Sequence, residues 1–563
     1  LKPLLTIENL SVAFTTEGRT TTAVKNISLQ VSRGEILALV GESGSGKSVT
    51  SLSILRLLPA PPAHYPSGKI LFSKDGDGEM NLLGLPHKSL QSIRGNDIAM
   101  IFQEPMTALN PVISCGKQVV ETLRQHRSLS AADAKSEAIA WFAKVKLPQP
   151  ETIFNRYPHQ LSGGQKQRVM IAMAMCCQPS LLICDEPTTA LDVTVQKTIL
   201  ELIRELQQQQ NMGVIFITHD LGVVAEIADR VAIMYRGELV EVNTTKNIFR
   251  QPAHPYTKAL IACRPAGHPK GEPLPVVSDF LEGKEKITTD RTSAAKHYDE
   301  VLVDVKNISV LFPNKTNWLG KTLSHVTAVK DVSFQIFKGE TLGLVGESGC
   351  GKTTLGRTLL RLIDPTAGSI LYRDTDITKL DGRQLKDLRR NVQLIFQDPY
   401  SSLNPRISIG SALEEPMKVA AGMSSSSARR EKAAALMNKV NLSPDMLRRY
   451  PHEFSGGQRQ RIVIARALAL SPTFLVCDES VSALDVSVQA QVLNLLNNLK
   501  AELGLTLLFI SHDLSVVRYM SDRILVMHKG SVIESGRAED VYNRPQKEYT
   551  KALLASVPKI NRA

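Results

Sequence analysis

The sequence has no run of about 18 apolar residues, the least a membrane-spanning helix needs, so no segment of it reads as one. No signal peptide is visible. The chain opens on Leu1 rather than Met, as expected where a start residue or tag has been trimmed. Its seven cysteines, Cys115, Cys176, Cys177, Cys184, Cys263, Cys350 and Cys477, are scattered, odd in number and mostly in apolar contexts. That excludes a disulfide framework and fits reduced thiols in a cytosol. Clustered metal-ligand spacing is missing too, so no zinc site is expected. The formal net charge of +12 fits an ordinary basic surface or one near anionic lipid or nucleic acid. With no Arg/Lys tract interleaved with aromatics, charge alone does not argue for nucleic acid.

What is present is a phosphate-binding loop, twice. Gly41-Glu42-Ser43-Gly44-Ser45-Gly46-Lys47-Ser48 fits G-x-x-x-x-G-K-[ST]. An apolar run, Ile36 to Val40, precedes it as a buried parallel strand, and a helical pattern from Ser48 to Leu58 follows. Glycines let the backbone approach a polyphosphate, and the helix N-terminus adds partial positive charge. Lys47 is placed to reach the β- and γ-phosphates and Ser48 to ligate Mg²⁺. Gly346-Glu347-Ser348-Gly349-Cys350-Gly351-Lys352-Thr353 repeats the loop after the strand Thr341 to Val345. A naive reading of length gives about four domains; the duplication revises this to two copies, each a phosphate-binding core with a smaller subdomain.

In chain order, Thr6 to Phe14 reads as an edge strand, and Val301 to Phe312 takes the same place in the second copy. Phe14 and Phe312 are either adenine-stacking or core residues. Pro59 to Pro66 is a proline-rich turn. A polar insertion at Ser73 to Met80 reads as a surface hairpin and lengthens the first copy: Gln103 follows Lys47 by 56 positions, Gln397 follows Lys352 by 45. Each glutamine ends an apolar strand, where it can ligate Mg²⁺ or orient water. Asn110 to Tyr157 is helical, with Ala138, Trp141, Phe142 and Val145 spaced to bury one face. Leu161-Ser162-Gly163-Gly164-Gln165 and Phe454-Ser455-Gly456-Gly457-Gln458 each open a helix, the first running to Met175, and make a second kind of anion-binding end. Nothing places Ser162 near its own loop, so it is a candidate for the γ-phosphate held by the other copy.

Asp185 and Glu186 end a buried strand, as do Asp478 and Glu479. Adjacent acids after an apolar strand are costly unless they serve something. The aspartates are placed to hold Mg²⁺ and the glutamates to polarise water. Ala190-Leu191-Asp192 and Ala483-Leu484-Asp485 follow. His219 and His512 end further strands, each 33 positions after its glutamate. The copies close on His254-Pro255-Tyr256-Thr257 and Glu548-Tyr549-Thr550, and the polar, Pro- and Gly-containing stretch between them reads as a linker with little structure of its own.

Together these motifs resemble an ATP-binding cassette protein with two nucleotide-binding domains fused head to tail. The resemblance implies an α/β fold of two tandem P-loop NTPase domains, each a RecA-like core with an antiparallel β edge and an inserted helical subdomain. Residues 1–264 and 301–563 are then the domains and 265–300 the linker. In family terms Phe14 and Phe312 match the adenine-stacking loop, the P-loops are Walker A, and Gln103 and Gln397 are the Q-loops. LSGGQ and FSGGQ are the signatures. Asp185/Glu186 and Asp478/Glu479 match Walker B with its catalytic Glu, Asp192 and Asp485 the D-loops, and His219 and His512 the switch histidines. The family sandwiches two ATPs between domains, so Lys47 is expected to face Ser455 and Lys352 to face Ser162. A finer similarity, carried by residues 103–111, by Tyr157-Pro158-His159-Gln160 and by the HPYT segment at 254–257, is to the peptide-importer branch, including ATPases of glutathione and microcin C importers. It implies an ATPase using ATP and Mg²⁺, two permease partners, an extracytoplasmic solute-binding protein, no nucleic acid, and a peripheral place on the cytoplasmic face of the inner membrane. Only Cys263 follows HPYT, so no iron–sulfur cluster is inferred. Ser480 and Val481-Ser482 depart from the first copy's Pro187 and Thr188-Thr189, but the catalytic groups remain and both sites are expected to hydrolyse. The competing class is a soluble cassette ATPase acting on ribosomes or nucleic acid. Finally, Cys350 stands where the first loop has Ser45. Surrounded by N–H groups and Lys352, it is expected to be the most reactive thiol, with Cys184 and Cys477 inert; the alternative is a small residue packed beneath the loop.

Overall fold

Most strands that lead into a candidate site residue are short apolar runs buried along their whole length; Val392–Ile395, which contains Gln393, is buried only at its ends. The computed structural model describes residues 2–16, 18–74, 76, 78–189, 191–283, 298–316, 322–482 and 484–557. The chain divides into two units, Leu1–Ile261 and Ala262–Val557.

In the first unit a six-stranded sheet has the spatial order Glu238–Thr244, Arg230–Tyr235, Ile36–Val40, Gly213–Thr218, Leu181–Asp185, Ile98–Ile101. All neighbours are parallel except the first pair, which is antiparallel. Ile36–Val40, Leu181–Asp185 and Gly213–Thr218 are buried at every position, as expected of strands covered on both faces. A four-stranded antiparallel sheet lies in the order Arg19–Val31, Leu5–Thr16, Ala63–Phe72, Met80–Asn81. The strand carrying Phe14 is therefore not an edge: it pairs on both sides, and Leu5, Ile7, Leu10 and Val12 are all buried. Loose alternation in sequence hid this because bulges shift the register between Ile7 and Ala13. The polar insertion does turn a hairpin, joining Ala63–Phe72 to Met80–Asn81.

Helices Cys115–His126, Ala131–Lys144 and Pro150–Asn155 form the inserted subdomain. Trp141, Phe142, Ala138 and Val145 are buried in its core, and Phe154 closes over Gly116, where a Cβ would collide with the ring. The second unit repeats the plan. Its sheet order is Val392–Ile395, Phe474–Asp478, Thr506–Ile510, Thr341–Val345, Arg523–His528, Ser531–Arg537.

Part of the expected linker is folded. Within the second unit, Pro265–Gly267 and Val277–Leu281 are helical, and Leu274 and Val277 are buried. Asn494 Oδ1 accepts from Leu274 N at 2.9 Å and its Nδ2 donates to Leu274 O at 2.7 Å, while Tyr519 donates to Glu272 O at 2.8 Å. Lys270 forms an ion pair with Asp522. A polar composition concealed the two apolar anchors that hold this strap. Residues 284–297 lie outside the described residues. Among those described, no helix is long and apolar enough to cross a membrane.

Candidate nucleotide site

The parallel strands deliver their C-terminal ends to one edge of the sheet, where open α/β sheets bind ligands. Val40 leads into the loop 41–46, whose last residue, Gly46, caps helix Lys47–Ile54 in the left-handed region at φ 101. Gly351 does the same at φ 106 before Lys352–Leu359. Only glycine reaches such angles without strain, so the turn that aims the loop's N–H groups is written in those two residues. Lys47 is buried, and its Nζ donates to Gly41 O at 2.7 Å and Glu42 O at 2.9 Å. Lys352 repeats this on Gly346 O at 2.8 Å and Glu347 O at 2.9 Å.

Two strands away, Ser48 donates to Asp185 Oδ1 at 3.1 Å and Thr353 to Asp478 Oδ1 at 3.0 Å. Burial pushes the Asp185 carboxyl up to about 6 despite the Ser48 hydrogen bond and the Lys47 charge, and raises Asp478 likewise. A buried carboxylate joined to a hydroxyl and held from its charged form by desolvation fits a cation site. Asp185 with Ser48, and Asp478 with Thr353, would hold Mg²⁺, which bound to a nucleotide neutralises developing phosphate charge.

Glu186 and Glu479 follow at φ 46 and φ 47. Left-handed geometry costs a non-glycine residue about 1–2 kcal/mol, and it is held here by each glutamate's N–H donating to the neighbouring strand, to Ile217 O at 3.0 Å and Ile510 O at 2.9 Å. The twist turns each side chain toward the strand that ends in histidine. His219 Nδ1 lies 3.2 Å from Glu186 Oε2, and His512 Nδ1 3.3 Å from Glu479 Oε2. Gln103 Nε2 donates to Glu186 Oε2 at 3.3 Å, and Gln397 Nε2 to Glu479 Oε2 at 2.9 Å. Burial raises both glutamates, but the histidines and the loop lysines, with the Thr189 hydroxyl at Glu186, together outweigh it and hold both below the ordinary glutamate value. A carboxylate ionised at neutral pH beside a lysine-bearing loop can take a proton from water.

Each unit thus brings the glycine loop with its lysine, the acidic pair, the glutamine and the histidine together on one edge. Other predicted residues are engaged locally. Ser162 and Gln165 form a capping box on helix Gly163–Met175, as Ser455 and Gln458 do on Gly456–Leu468. A Cβ on Gly164 would press on Val195 and one on Gly457 would collide with Val488. In contrast, a Cβ on Gly456 meets nothing within 4 Å, and one on Gly163 only Leu191 at 3.7 Å. Packing within the unit therefore does not demand glycine at Gly163 or Gly456. Asp192 caps Val193–Gln210 by accepting from Val195 N at 2.9 Å, whereas Asp485 makes no such cap bond. Ala190 and Ala483 lie outside the described residues. Phe14 is partly buried against the core, while Phe312 is 39% exposed.

Cys350 corrects an expectation. It is 6% exposed, and burial raises its thiol although Lys352 Nζ is 4.0 Å from Sγ. The thiol packs beneath the loop, and there desolvation outweighs the nearby positive charge and favours the protonated form. Three participants escaped the sequence reading. Thr189 Oγ1 donates to Glu186 Oε2 at 2.9 Å, but its counterpart Ser482 donates to the main-chain oxygen of Glu479. Tyr256 and Tyr549 reach the loops from the chain segments that close each copy; their recurrence in HPYT and EYT was the available signal.

Residues 24–189 and 329–482 match the family model described as ABC transporter, and residues 240–286 and 533–563 that of the oligopeptide/dipeptide transporter C-terminal region. The chain is 48% identical over 564 residues to the glutathione import ATP-binding protein GsiA of Pectobacterium atrosepticum, covering 99% of this chain and 90% of that one. The protein of the same name from Escherichia coli K12 is 48% identical over 560 residues, with 99% and 89% covered. Among solved structures, the dimeric structure of MJ0796, a bacterial ABC transporter cassette, is 28% identical, covers 42% of this chain and 98% of that one, and has a TM-score of 0.38. Matched twice by the same family model and nearly full length by import ATP-binding proteins, the chain belongs to the ATP-binding cassette transporter family as an ATPase with two cassettes.

Proposed function

We propose that the chain is the ATP-hydrolysing subunit of a membrane importer for peptides or peptide-like solutes such as glutathione. The observation that carries this reading is near-full-length similarity to glutathione import ATP-binding proteins, joined to an oligopeptide/dipeptide transporter C-terminal region after each cassette. In this reading the chain binds two MgATP, each P-loop opposed to the signature of the other cassette: Lys47 with Ser455, Lys352 with Ser162. The open space at these helix N-termini supports such an encounter: a Cβ on Gly456 would meet nothing within 4 Å and one on Gly163 only Leu191 at 3.7 Å, which leaves room for an anion at the N–H end. Water attacks the γ-phosphorus as its proton passes to Glu186 or Glu479, the bond to the β-bridging oxygen breaks, and ADP and phosphate leave. Closing and opening of the cassettes drives two permease subunits, supplied from outside by a solute-binding protein. The chain sits peripherally on the cytoplasmic face of the inner membrane.

The test is reconstitution with the two permeases and the binding protein in liposomes, with ATP inside and labelled glutathione or short peptides offered with the binding protein. ATP-dependent uptake is expected. Failure to associate with permeases, together with ATPase activity stimulated by ribosomes or RNA, would favour the alternative, a cassette ATPase acting on ribosomes or nucleic acid.

A further inference from the structure

The peptide plane between Gly41 and Glu42 is held at both ends. Its carbonyl, Gly41 O, accepts from Lys47 Nζ at 2.7 Å, and its N–H, on Glu42, donates to Tyr256 Oη at 3.1 Å. The second cassette repeats the arrangement. Gly346 O accepts from Lys352 Nζ at 2.8 Å and Glu347 N donates to Tyr549 Oη at 3.2 Å. The tyrosines are built in from a distance. Tyr256 is fully buried, its ring 4.3 Å from that of Tyr235, and Tyr549 stacks on His528 at 4.0 Å. Each follows a clamp: Glu241 accepts from Ala253 N at 2.9 Å and His254 N at 3.0 Å, and Glu534 from Gln546 N at 2.7 Å and Lys547 N at 3.2 Å.

We propose that Tyr256 and Tyr549 are positioning residues for ATP binding, through which the C-terminal segment of each cassette locks the first peptide plane of its own phosphate loop. The need arises from the lysine. Its ammonium has three donors, it already serves Gly41 O and Glu42 O, and an arriving phosphate draws on the same group, so its hold on the carbonyl end of the plane weakens. Glycine offers no Cβ to resist rotation. The tyrosine hydroxyl, on which the phosphate does not draw, keeps the N–H end fixed. Rotation would carry Gly41 O and the Glu42 N–H to opposite sides. The adjoining Glu42 carbonyl, which accepts from Ser45 N at 3.0 Å, would be disturbed with it. A loop free to sample that geometry binds ATP only from its competent fraction, and apparent affinity falls by that fraction.

The inference rests on the loops being ATP sites, which binding of a fluorescent ATP analogue to the unaltered chain checks in the same titration. Tyr256→Phe with Tyr549→Phe in the full chain removes both hydroxyls and keeps both rings. We expect the analogue's Kd and the KM for ATP to rise about 3- to 10-fold, the range of one ordinary hydrogen bond, with kcat within about twofold and the melting temperature little changed. Tyr256→Leu with Tyr549→Leu should give the same KM change and, in addition, a lower melting temperature. An unchanged KM in the double Phe variant overturns the proposal. So does a KM change seen only with Leu, which would make the ring, not the hydroxyl, the active part.

Discussion

His219 Nδ1 sits 3.2 Å from Glu186 Oε2, the same oxygen that accepts from Gln103 Nε2 at 3.3 Å and Thr189 Oγ1 at 2.9 Å. Three groups from three chain segments converge on one carboxylate oxygen, and the backbone beneath it is twisted to φ 46. Strained, multiply bonded acids of this kind concentrate at functional sites. The second cassette keeps the histidine and glutamine but not the hydroxyl.

Removing the acid tests its role as base. Glu186→Gln or Glu479→Gln alone should lower ATPase activity at least several-fold, and the pair together on the order of 10²–10⁴-fold. Nucleotide binding should persist. Steady-state hydrolysis beside equilibrium ATP binding makes the comparison, and full activity in one single variant would mark that cassette as non-catalytic.

The Glu479–His512 pair sets a pH dependence. Burial disfavours the charged imidazole, but the hydrogen bond and charge of Glu479, aided by Asp513, raise His512 above its usual value. Its contribution to stability is therefore full below about pH 6.5, the unfolded value, and is lost as pH rises through the raised one. Glu479 is lowered, so its contribution is present above about pH 4.3 and lost as pH falls through the lowered value. Between those limits Glu479→Gln should cost most stability, seen as the largest melting-temperature deficit. By NMR the His512 ring should titrate above 6.5 in the parent chain and lower in the variant. An unmoved midpoint would contradict the pairing.

Asp185 behaves in the opposite sense. Its carboxyl is raised to about 6 by burial, so ionising it works against folding above that pH and costs nothing below about 3.9, the unfolded value. Asp185→Asn should stabilise the ligand-free chain at pH 7.5 by on the order of 1–3 kcal/mol, a gain that vanishes toward pH 4. Mg²⁺-dependent hydrolysis at that cassette should be lost. A variant less stable at pH 7.5 would refute the assignment. Denaturant titration at the two pH values measures it.

The folded strap gives a structural prediction. Asn494→Leu leaves both the N–H and the carbonyl of Leu274 without their amide partner. The second unit should lose about 1–3 kcal/mol, and residues 265–283 should become quickly cleavable by protease. Unchanged protection would show that the strap is held elsewhere.

The sequence by itself marked the candidate groups and the family. A strand, a glycine loop and a capped helix are consecutive, so Gly41 to Ser48 could be read from spacing alone. Asp185 and Glu186 declared themselves because adjacent acids after an apolar strand are too costly to be idle. Repetition then carried each assignment to the second copy. Tertiary structure decided what depends on residues far apart in the chain. Whether Cys350 stands open or packs beneath the loop depended on how the loop closes, and the residue is 6% exposed. Whether 265–283 is slack or folded turned on the Asn494 amide more than 200 positions away. The recurrence of the tyrosine in HPYT and EYT marked it, but that Tyr256 accepts from the Glu42 N–H, at a separation of 214 positions, was in no local pattern. Hydrogen bonds across such distances exist only once the sheet has brought the segments together, and a linear pattern does not record which pairs will meet.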